Sequence, residues 1–239
     1  MELKDMIFKR KSVRKYTAVP VDDKTREDIM AFAAGMKPLY PDIRVESRIV
    51  TKEQVRFYLP WKTPQLLAIY SEKKEGYLEN VGFLYQQMDL YLESLGLGSC
   101  WMGLGKVRGE EGYNGLDFVI LLAFGHTEDA FRTGAADFKR EPLGKIADWE
   151  DPALEPARLA PSSVNSQPWY FTHEGESIHA FCTQRGMLRH PSFGAMNRID
   201  MGIALAHLYI CNPEKFRFFT CEGVSCPEGY GYIGSFALQ

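Results

Sequence analysis

The sequence lacks the residue spacings that most metal centres and nucleophilic enzymes require. Its five cysteines are scattered without a Cys-x-x-Cys pair, and its five histidines form no His-Glu-x-x-His or similar spacing. A Gly-x-Ser-x-Gly elbow is also missing. We therefore expect no metal site, no nucleophilic catalytic residue and reduced thiols in a cytoplasmic protein.

Strong charge imbalance and long apolar runs are missing too. The formal net charge is only −3 over 239 residues, which gives no general reason to expect nucleic acid or an anionic membrane as a partner. No apolar run approaches a membrane span, and the charged residues 1–16 are unlike a signal peptide. The hydrophobic share of 45% is typical of a globular protein with a large core.

The pattern of apolar residues predicts an α+β fold in which similar elements occur twice. Alternation and buried runs predict strands at 42–50, 65–71, 116–125, 169–172, 177–183 and 215–221. Apolar stripes and end signals predict helices at 3–8, from Asp22 or Asp23 to 35, at 77–95 and at 197–210. Gly82 and Gly202 occupy similar places in the two long helices. We expect two structural repeats related by a pseudo-two-fold axis, although the halves share almost no identity.

A basic stretch near the N-terminus is the first candidate site. Arg10, Ser12 and Arg14 recur at every second position, so in an extended segment they lie on the same side. Two guanidinium groups and a hydroxyl group suit a phosphate. The alternative is a solvated basic segment without a ligand. Lys139 and Arg140 either complete this anion cluster or are simply exposed.

A glycine-rich segment, residues 96–105, follows the first long helix. It matches neither a Walker loop nor a dinucleotide fingerprint, because Cys100 and Trp101 stand where those motifs need glycine. Its backbone N–H groups can approach a ligand closely. The alternative is a helix cap followed by a turn.

A polar loop precedes the strand that begins at Trp169. Residues 157–168 contain two prolines, several serines, Asn165 and Gln167, which excludes a helix interior or a central strand. These side chains either cap neighbouring elements or face the polar edge of a planar ligand.

Four segments resemble those of the flavin-dependent nitroreductases. "KRKSVRKY" is similar to their R-x-S-x-R opening, "ESLGLGSCWMG" to their glycine segment, "FKREPLGKI" to a late basic segment, and "ARLAPSSVNSQPWYF" to their A-P-S-x-x-N-x-Q-P-W loop. The resemblance implies a nitroreductase-like α+β fold and FMN as cofactor. It implies hydride transfer from NADPH or NADH through FMN to a small electron acceptor such as a nitroaromatic or a quinone, in a ping-pong reaction.

The resemblance also implies roles for individual residues. The FMN phosphate would be bound by Arg10, Ser12 and Arg14, with Arg140 and Lys139 helping. Backbone groups of Met102, Gly103 and Leu104 would lie near the ring edge. The flavin ring would be lined by four residues of the polar loop: Pro161, Ser162, Ser163 and Asn165. Gln167 is expected to tie the loop rather than to bind the flavin.

The order of these motifs departs from the family pattern, because the polar loop comes last rather than early. In the family the flavin lies across a dimer interface, and the loop comes from the other subunit. We therefore expect one flavin site per chain, built from a first half (1–147) and a second half (148–239), so that a monomer can bind FMN. Two alternatives remain: a flavin-binding storage or sensor protein without turnover, and a binding module that has lost the cofactor.

Overall fold

Two long helices cross at the centre of the molecule. The computed structural model describes residues 2–57, 63–184 and 191–238. Its helices are α1 (Leu3–Ile7), α2 (Asp23–Gly35), α3 (Tyr77–Ser94), α4 (Leu143–Ile146), α5 (Glu155–Arg158) and α6 (Pro191–Cys211). Helices α3 and α6 form the most extensive contact between any two elements. Within the described residues, no helix is both long and apolar enough to cross a membrane.

Close approach of α3 and α6 depends on one glycine in each helix. A Cβ atom on Gly82 would lie 2.0 Å from the carbonyl oxygen of Ile199, and one on Gly202 would lie 2.0 Å from that of Glu79. Each glycine therefore faces the carbonyl group of the residue that lies three positions before the other glycine. Only glycine allows the two backbones to meet in this reciprocal way.

Two antiparallel sheets flank the helix pair. The strands are β1 (Val45–Thr51), β2 (Val55–Phe57), β3 (Gln65–Ser71), β4 (Gly98–Met102), β5 (Gly105–Val107), β6 (Gly112–Tyr113), β7 (Leu116–Gly125), β8 (Trp169–Glu174), β9 (Ser177–Thr183), β10 (Phe216–Phe219) and β11 (Tyr230–Leu238). One sheet has the order β1-β3-β7-β4, with β6 on the end of β7, and the other has the order β10-β11-β9-β8. Strands β2 and β5 form a separate ribbon. The first sheet thus uses only residues 45–125, and the second only residues 169–238.

Most predicted elements are present with nearly the predicted bounds. Helix α2 begins after Asp22, whose side chain accepts a hydrogen bond from the Thr25 amide. Helix α3 ends at Ser94, and Gly96 follows its C-cap with φ +77°. The glycine segment differs from the alternative of a helix cap followed only by a turn. Beyond Gly96 it continues as β4, which pairs with β7, and only Gly103 and Leu104 form the following turn. Small residues there permit close strand packing, which the sequence pattern does not distinguish from a loop.

Helix α3 is buried on more than its predicted apolar stripe. Six polar or charged side chains of this helix are also buried: Glu79, Asn80, Gln86, Gln87, Asp89 and Glu93. Because buried polar groups need partners, most of these side chains bind neighbouring elements, and several of those elements border the cavity described next.

Candidate functional site

A cavity of about 410 Å³ lies between the N-terminal segment, the end of β4, the polar loop and helix α6. Its lining residues are Ser12, Arg14, Cys100, Trp101, Gly103, Leu104, Ile120, Pro161, Ser162, Ser163, Val164, Met196, Ile199, Asp200 and Ile203. The cavity therefore has apolar walls with a few polar groups, as is typical of cofactor sites. Segments far apart in the sequence meet here within one chain.

Ser12 and Arg14 supply a hydroxyl group and a cationic guanidinium group to the lining. The segment that carries them is fixed by backbone pairing with β4: Ser12 forms a parallel bridge with Ser99, and the Val13 amide donates to the Ser99 carbonyl over 2.8 Å. The Val13 side chain is fully buried, while Arg14 is exposed. This arrangement places one residue with a hydroxyl group and one with a guanidinium group in the lining of the same cavity.

Arg10 does not lie with them in the lining, which corrects the expectation that all three residues face a ligand. Its side chain is only 1% exposed, and its Nε donates to Asp89 Oδ2 over 3.1 Å. Its Nη2 donates to Ser12 Oγ over 3.2 Å. The segment is not a regular strand, so the period-two argument does not hold at this residue. Arg10 instead binds the inner side of Ser12.

Asp89 organises the buried side of the cavity wall. Besides Arg10, it accepts hydrogen bonds from Ser99 Oγ at 2.6 Å and from Gln86 Nε2 at 3.0 Å. Gln86 Oε1 in turn accepts from Trp101 Nε1 at 3.2 Å. Asp89 was not among the predicted site residues, because only the apolar positions of α3 were interpreted in the sequence. An acid in the helix next to a predicted arginine cluster was the available signal.

The turn after β4 contributes Gly103 and Leu104 to the lining, as expected, but not Met102. Trp101 belongs to the lining, whereas Met102 is buried in a separate apolar cluster with Val107 and Leu121. A Cβ on Gly103 would lie 2.9 Å from Met196 Sδ, so a larger residue would narrow this wall.

The polar loop places Pro161, Ser162 and Ser163 in the lining. Val164 lies at the mouth with 82% of its surface exposed and with φ +48°, an unfavourable conformation for a β-branched residue. The strained loop is held by several bonds: Gln167 N donates to Ser162 Oγ over 2.9 Å, and Glu141 N donates to Gln167 Oε1 over 2.8 Å. Gln167 thus ties the loop.

Asn165 faces away from the cavity, contrary to the expectation that it lines a ring. Its Oδ1 accepts from Arg140 Nη1 at 2.7 Å, and its Nδ2 donates to the Lys139 carbonyl over 3.1 Å. Arg140 also donates to the carbonyl of Ala160 over 3.0 Å. Neither Arg140 nor Lys139 belongs to the lining. Arg140 holds the loop, and burial together with the nearby Arg10 and Arg132 lowers its pKa to about 10.

Helix α6 contributes Asp200, which sequence analysis did not select. Asp200 is 4% exposed, and its Oδ2 accepts a hydrogen bond from the Ser163 amide over 3.0 Å. An acid within a largely apolar helix was the signal that could have found it. Met196, Ile199 and Ile203 line the same wall. Ile199 and Ile203 were predicted only as helix residues, and Met196 precedes the predicted helix, which begins six residues earlier than predicted.

Comparison with known proteins identifies the class. Residues 2–212 match the family model described as "Putative TM nitroreductase". No protein with a curated function matches the chain. A Thermotoga maritima protein described as a putative nitroreductase is similar over 100% of this chain and 94% of its own, with 19% identity and a TM-score of 0.69.

Two Clostridium difficile structures are similar over a smaller part of the chain. A nitroreductase family protein covers 63% of this chain and 99% of its own, with 18% identity and a TM-score of 0.51. An FMN-dependent nitroreductase covers 56% of this chain and 93% of its own, with 17% identity and a TM-score of 0.41. The family match shows that this chain belongs to the nitroreductase family, and it has the family's α+β fold.

Proposed function

We propose that this protein is an FMN-dependent oxidoreductase that transfers hydride from NADPH or NADH to a nitroaromatic or quinone acceptor. One observation carries the proposal: three of the segments that resemble nitroreductase motifs contribute to the lining of one cavity. They are the segment of Ser12 and Arg14, the glycine segment and the polar loop. Family membership makes this chemistry the natural reading of the cavity.

The residues present fit FMN. Ser12 and Arg14 offer a hydroxyl and a guanidinium group to the phosphate, and both can form charge-assisted hydrogen bonds with it. The remaining walls suit a planar ring, because apolar side chains from β7 and α6 stand opposite a narrow turn at Gly103. When bound, the flavin supplies the group that accepts and delivers hydride. The chain's own residues bind the phosphate, orient the ring and limit access of water.

The buried residues behind the cavity would keep these groups in position. Asp89 fixes Arg10, and Arg10 binds Ser12, so we assign Arg10 as a positioning residue for the phosphate site. Arg140 and Asn165 would act in the same indirect way by holding the polar loop. We assign no side chain to the hydride transfer itself.

We further propose that one chain builds one complete site from two halves. The cavity is lined by residues up to Ile120 and from Pro161 onward, and each sheet belongs to one half. The reciprocal glycine contact of α3 and α6 supports a pseudo-two-fold relation. A whole chain of the Clostridium difficile family protein matches only 63% of this one, which also supports the proposal. The pseudo-two-fold axis would relate the polar loop to the loop that precedes β1. In that loop, Tyr40 packs edge-on against Phe218 with ring centroids 5.4 Å apart.

An absorption titration tests the proposed function. Purified protein is mixed with FMN, and NADPH or NADH is then added without an acceptor under anaerobic conditions. We expect tight binding of one FMN per chain. We also expect the absorption band of the oxidised flavin to disappear after NADPH or NADH is added. A protein that binds FMN but stays yellow with both nucleotides would be a flavin-binding protein without this turnover. Protein that refuses FMN would contradict the proposal altogether.

Arg14→Ala tests the phosphate site. Hydrogen bonds to charged groups contribute about 1.5–3 kcal/mol, so we expect FMN affinity to fall by about tenfold to a hundredfold. The melting temperature of the apoprotein should change little, because Arg14 is exposed. Arg44→Ala is the matched control, since Arg44 is also exposed but lies outside the cavity lining. Equal FMN affinity of the two variants would refute the assignment.

A further inference from the structure

Asp200 has a feature that its contact with the polar loop does not explain. Its Oδ2 accepts the Ser163 amide, and this is the one hydrogen bond that the carboxyl group forms with the residues that the structure describes. The side chain is almost fully buried and lines the cavity. A carboxyl group in such a place is costly to ionise unless it meets a cation or several hydrogen-bond donors.

A comparison within the chain shows that the loop contact does not need an acid. Asn80 lies two residues before Gly82, as Asp200 lies two residues before Gly202. Asn80 Oδ1 accepts the amides of Leu39 and Tyr40, each at 2.9 Å, in the loop that precedes β1. A neutral amide therefore performs the same loop contact in the first half. The carboxyl group at Asp200 is thus available for something further, and only Asp200 of these two residues belongs to the cavity lining.

Within residues 2–57, 63–184 and 191–238, no cationic side chain forms a hydrogen bond or ion pair with Asp200. The other ionisable side chains in the cavity lining are Arg14 and Cys100, and neither forms a hydrogen bond with Asp200. The Cys182 thiol of β9 has a pKa raised to about 12, mainly by burial. Asp200 lies close enough to contribute to this rise. The nearby Arg198 is paired with Glu79 of α3. Burial raises the pKa of Asp200 to about 8, against the opposing effect of the Ser163 amide.

We propose that Asp200 is held as a neutral carboxylic acid and presents its O–H to the cavity as a hydrogen-bond donor to a carbonyl or ring nitrogen of the bound flavin. The identity of the acceptor rests on the proposed function. The rest is carried by the burial of the Asp200 carboxyl group in the cavity wall, where a single backbone amide of the polar loop binds it. A neutral donor satisfies an acceptor atom of the ring and adds no negative charge to a cavity that must also take a phosphate.

Asp200→Asn is the decisive variant, because the amide keeps one acceptor for Ser163 and one donor for the cavity but cannot ionise. FMN affinity is measured by fluorescence between pH 6.5 and 9. We expect the wild-type protein to lose about tenfold in affinity over the upper part of this range, as one ionisation per site predicts. The affinity of Asp200→Asn should stay nearly constant. Asn80→Asp, which adds an acid at the related position outside the cavity lining, should keep the wild-type profile.

A second measurement uses the apoprotein and does not depend on flavin. The pKa of Asp200 is raised on folding from its ordinary value of 3.8, so the folded state holds a proton that the unfolded state has released between about pH 4 and pH 8. The free energy of unfolding therefore falls as the pH rises through this window. Asp200→Asn cannot ionise, so its free energy of unfolding does not fall in this way as the pH rises. Its melting temperature should exceed that of the wild type by about 5 °C or more at pH 8, and by clearly less at pH 5.

The two measurements separate the possible failures. A protein that binds no FMN contradicts the proposed function, while the melting comparison still tests the neutral acid. Normal FMN binding with the same pH profile in wild type and Asp200→Asn overturns the inference. Melting temperatures that differ equally at pH 5 and pH 8 overturn it as well, because a merely structural change would not depend on pH.

Discussion

Gly82→Ala is expected to destabilise the protein by at least about 3 kcal/mol, a large part of the stability of an ordinary domain. The added methyl group would lie 2.0 Å from the Ile199 carbonyl oxygen and 3.1 Å from the Ile203 amide nitrogen. Both are backbone atoms of α6, so no side-chain rotation can relieve the clash. The helices must separate, which also moves the cavity wall. Thermal unfolding should show the loss, and FMN binding should weaken with it.

Gly35→Ala is the matched control for this prediction. Gly35 also belongs to a helix, but nothing lies within 4 Å of a Cβ placed there. Alanine is favoured over glycine in helices by about 1 kcal/mol, so this variant should be as stable as the wild type or slightly more stable. Similar melting temperatures of Gly82→Ala and Gly35→Ala would show that the helix crossing is not as tight as described.

Mixing two defective variants is expected to give no recovery of FMN binding. Arg14→Ala weakens the first half of the proposed site, and Ser162→Trp fills the cavity from the second half. If each chain builds its whole site, every chain in the mixture carries one defect. In a dimer with shared sites, one hybrid site would combine the intact Arg14 of one chain with the intact Ser162 of the other.

The two variants should therefore be co-expressed, purified together and titrated with FMN. The expected titration resembles the average of the two variants alone. Binding of about one FMN per four chains with wild-type affinity would point to sites shared between chains and would contradict the single-chain site. An equal mixture of wild type and Ser162→Trp is the control for the yield of protein that can bind FMN, because half of its chains should bind.

Elements dominated by burial could be predicted from the sequence. The strands at 65–71, 116–125 and 177–183 were predicted with their observed bounds, because continuous or alternating apolar residues leave few alternatives. Strand β4 was missed because its glycine, serine and cysteine residues carry no such pattern. Its pairing with β7 depends on tertiary packing, which local sequence does not encode.

The candidate site was predictable where residues match a motif and not where a contact reaches across the fold. Ser12, Arg14, Gly103 and the start of the polar loop lie in the lining of one cavity, and their binding of FMN stays a prediction. Arg10 and Asn165 lie in their expected segments but turn toward Asp89 and Arg140. These partners are remote in sequence, so the direction of each side chain could not be inferred from spacing alone.

The reciprocal helix crossing also has a consequence for how the chain acquires its structure. The two glycines that meet at the centre are separated by most of the first sheet and by the whole polar loop. Closing so long a segment costs chain entropy before any contact forms, and such non-local contacts slow folding. During synthesis, the surface of α3 that packs against α6 stays uncovered until α6 has been made. We therefore expect the cavity to form only after α6 has been synthesised, and cofactor loading to follow the synthesis of this helix.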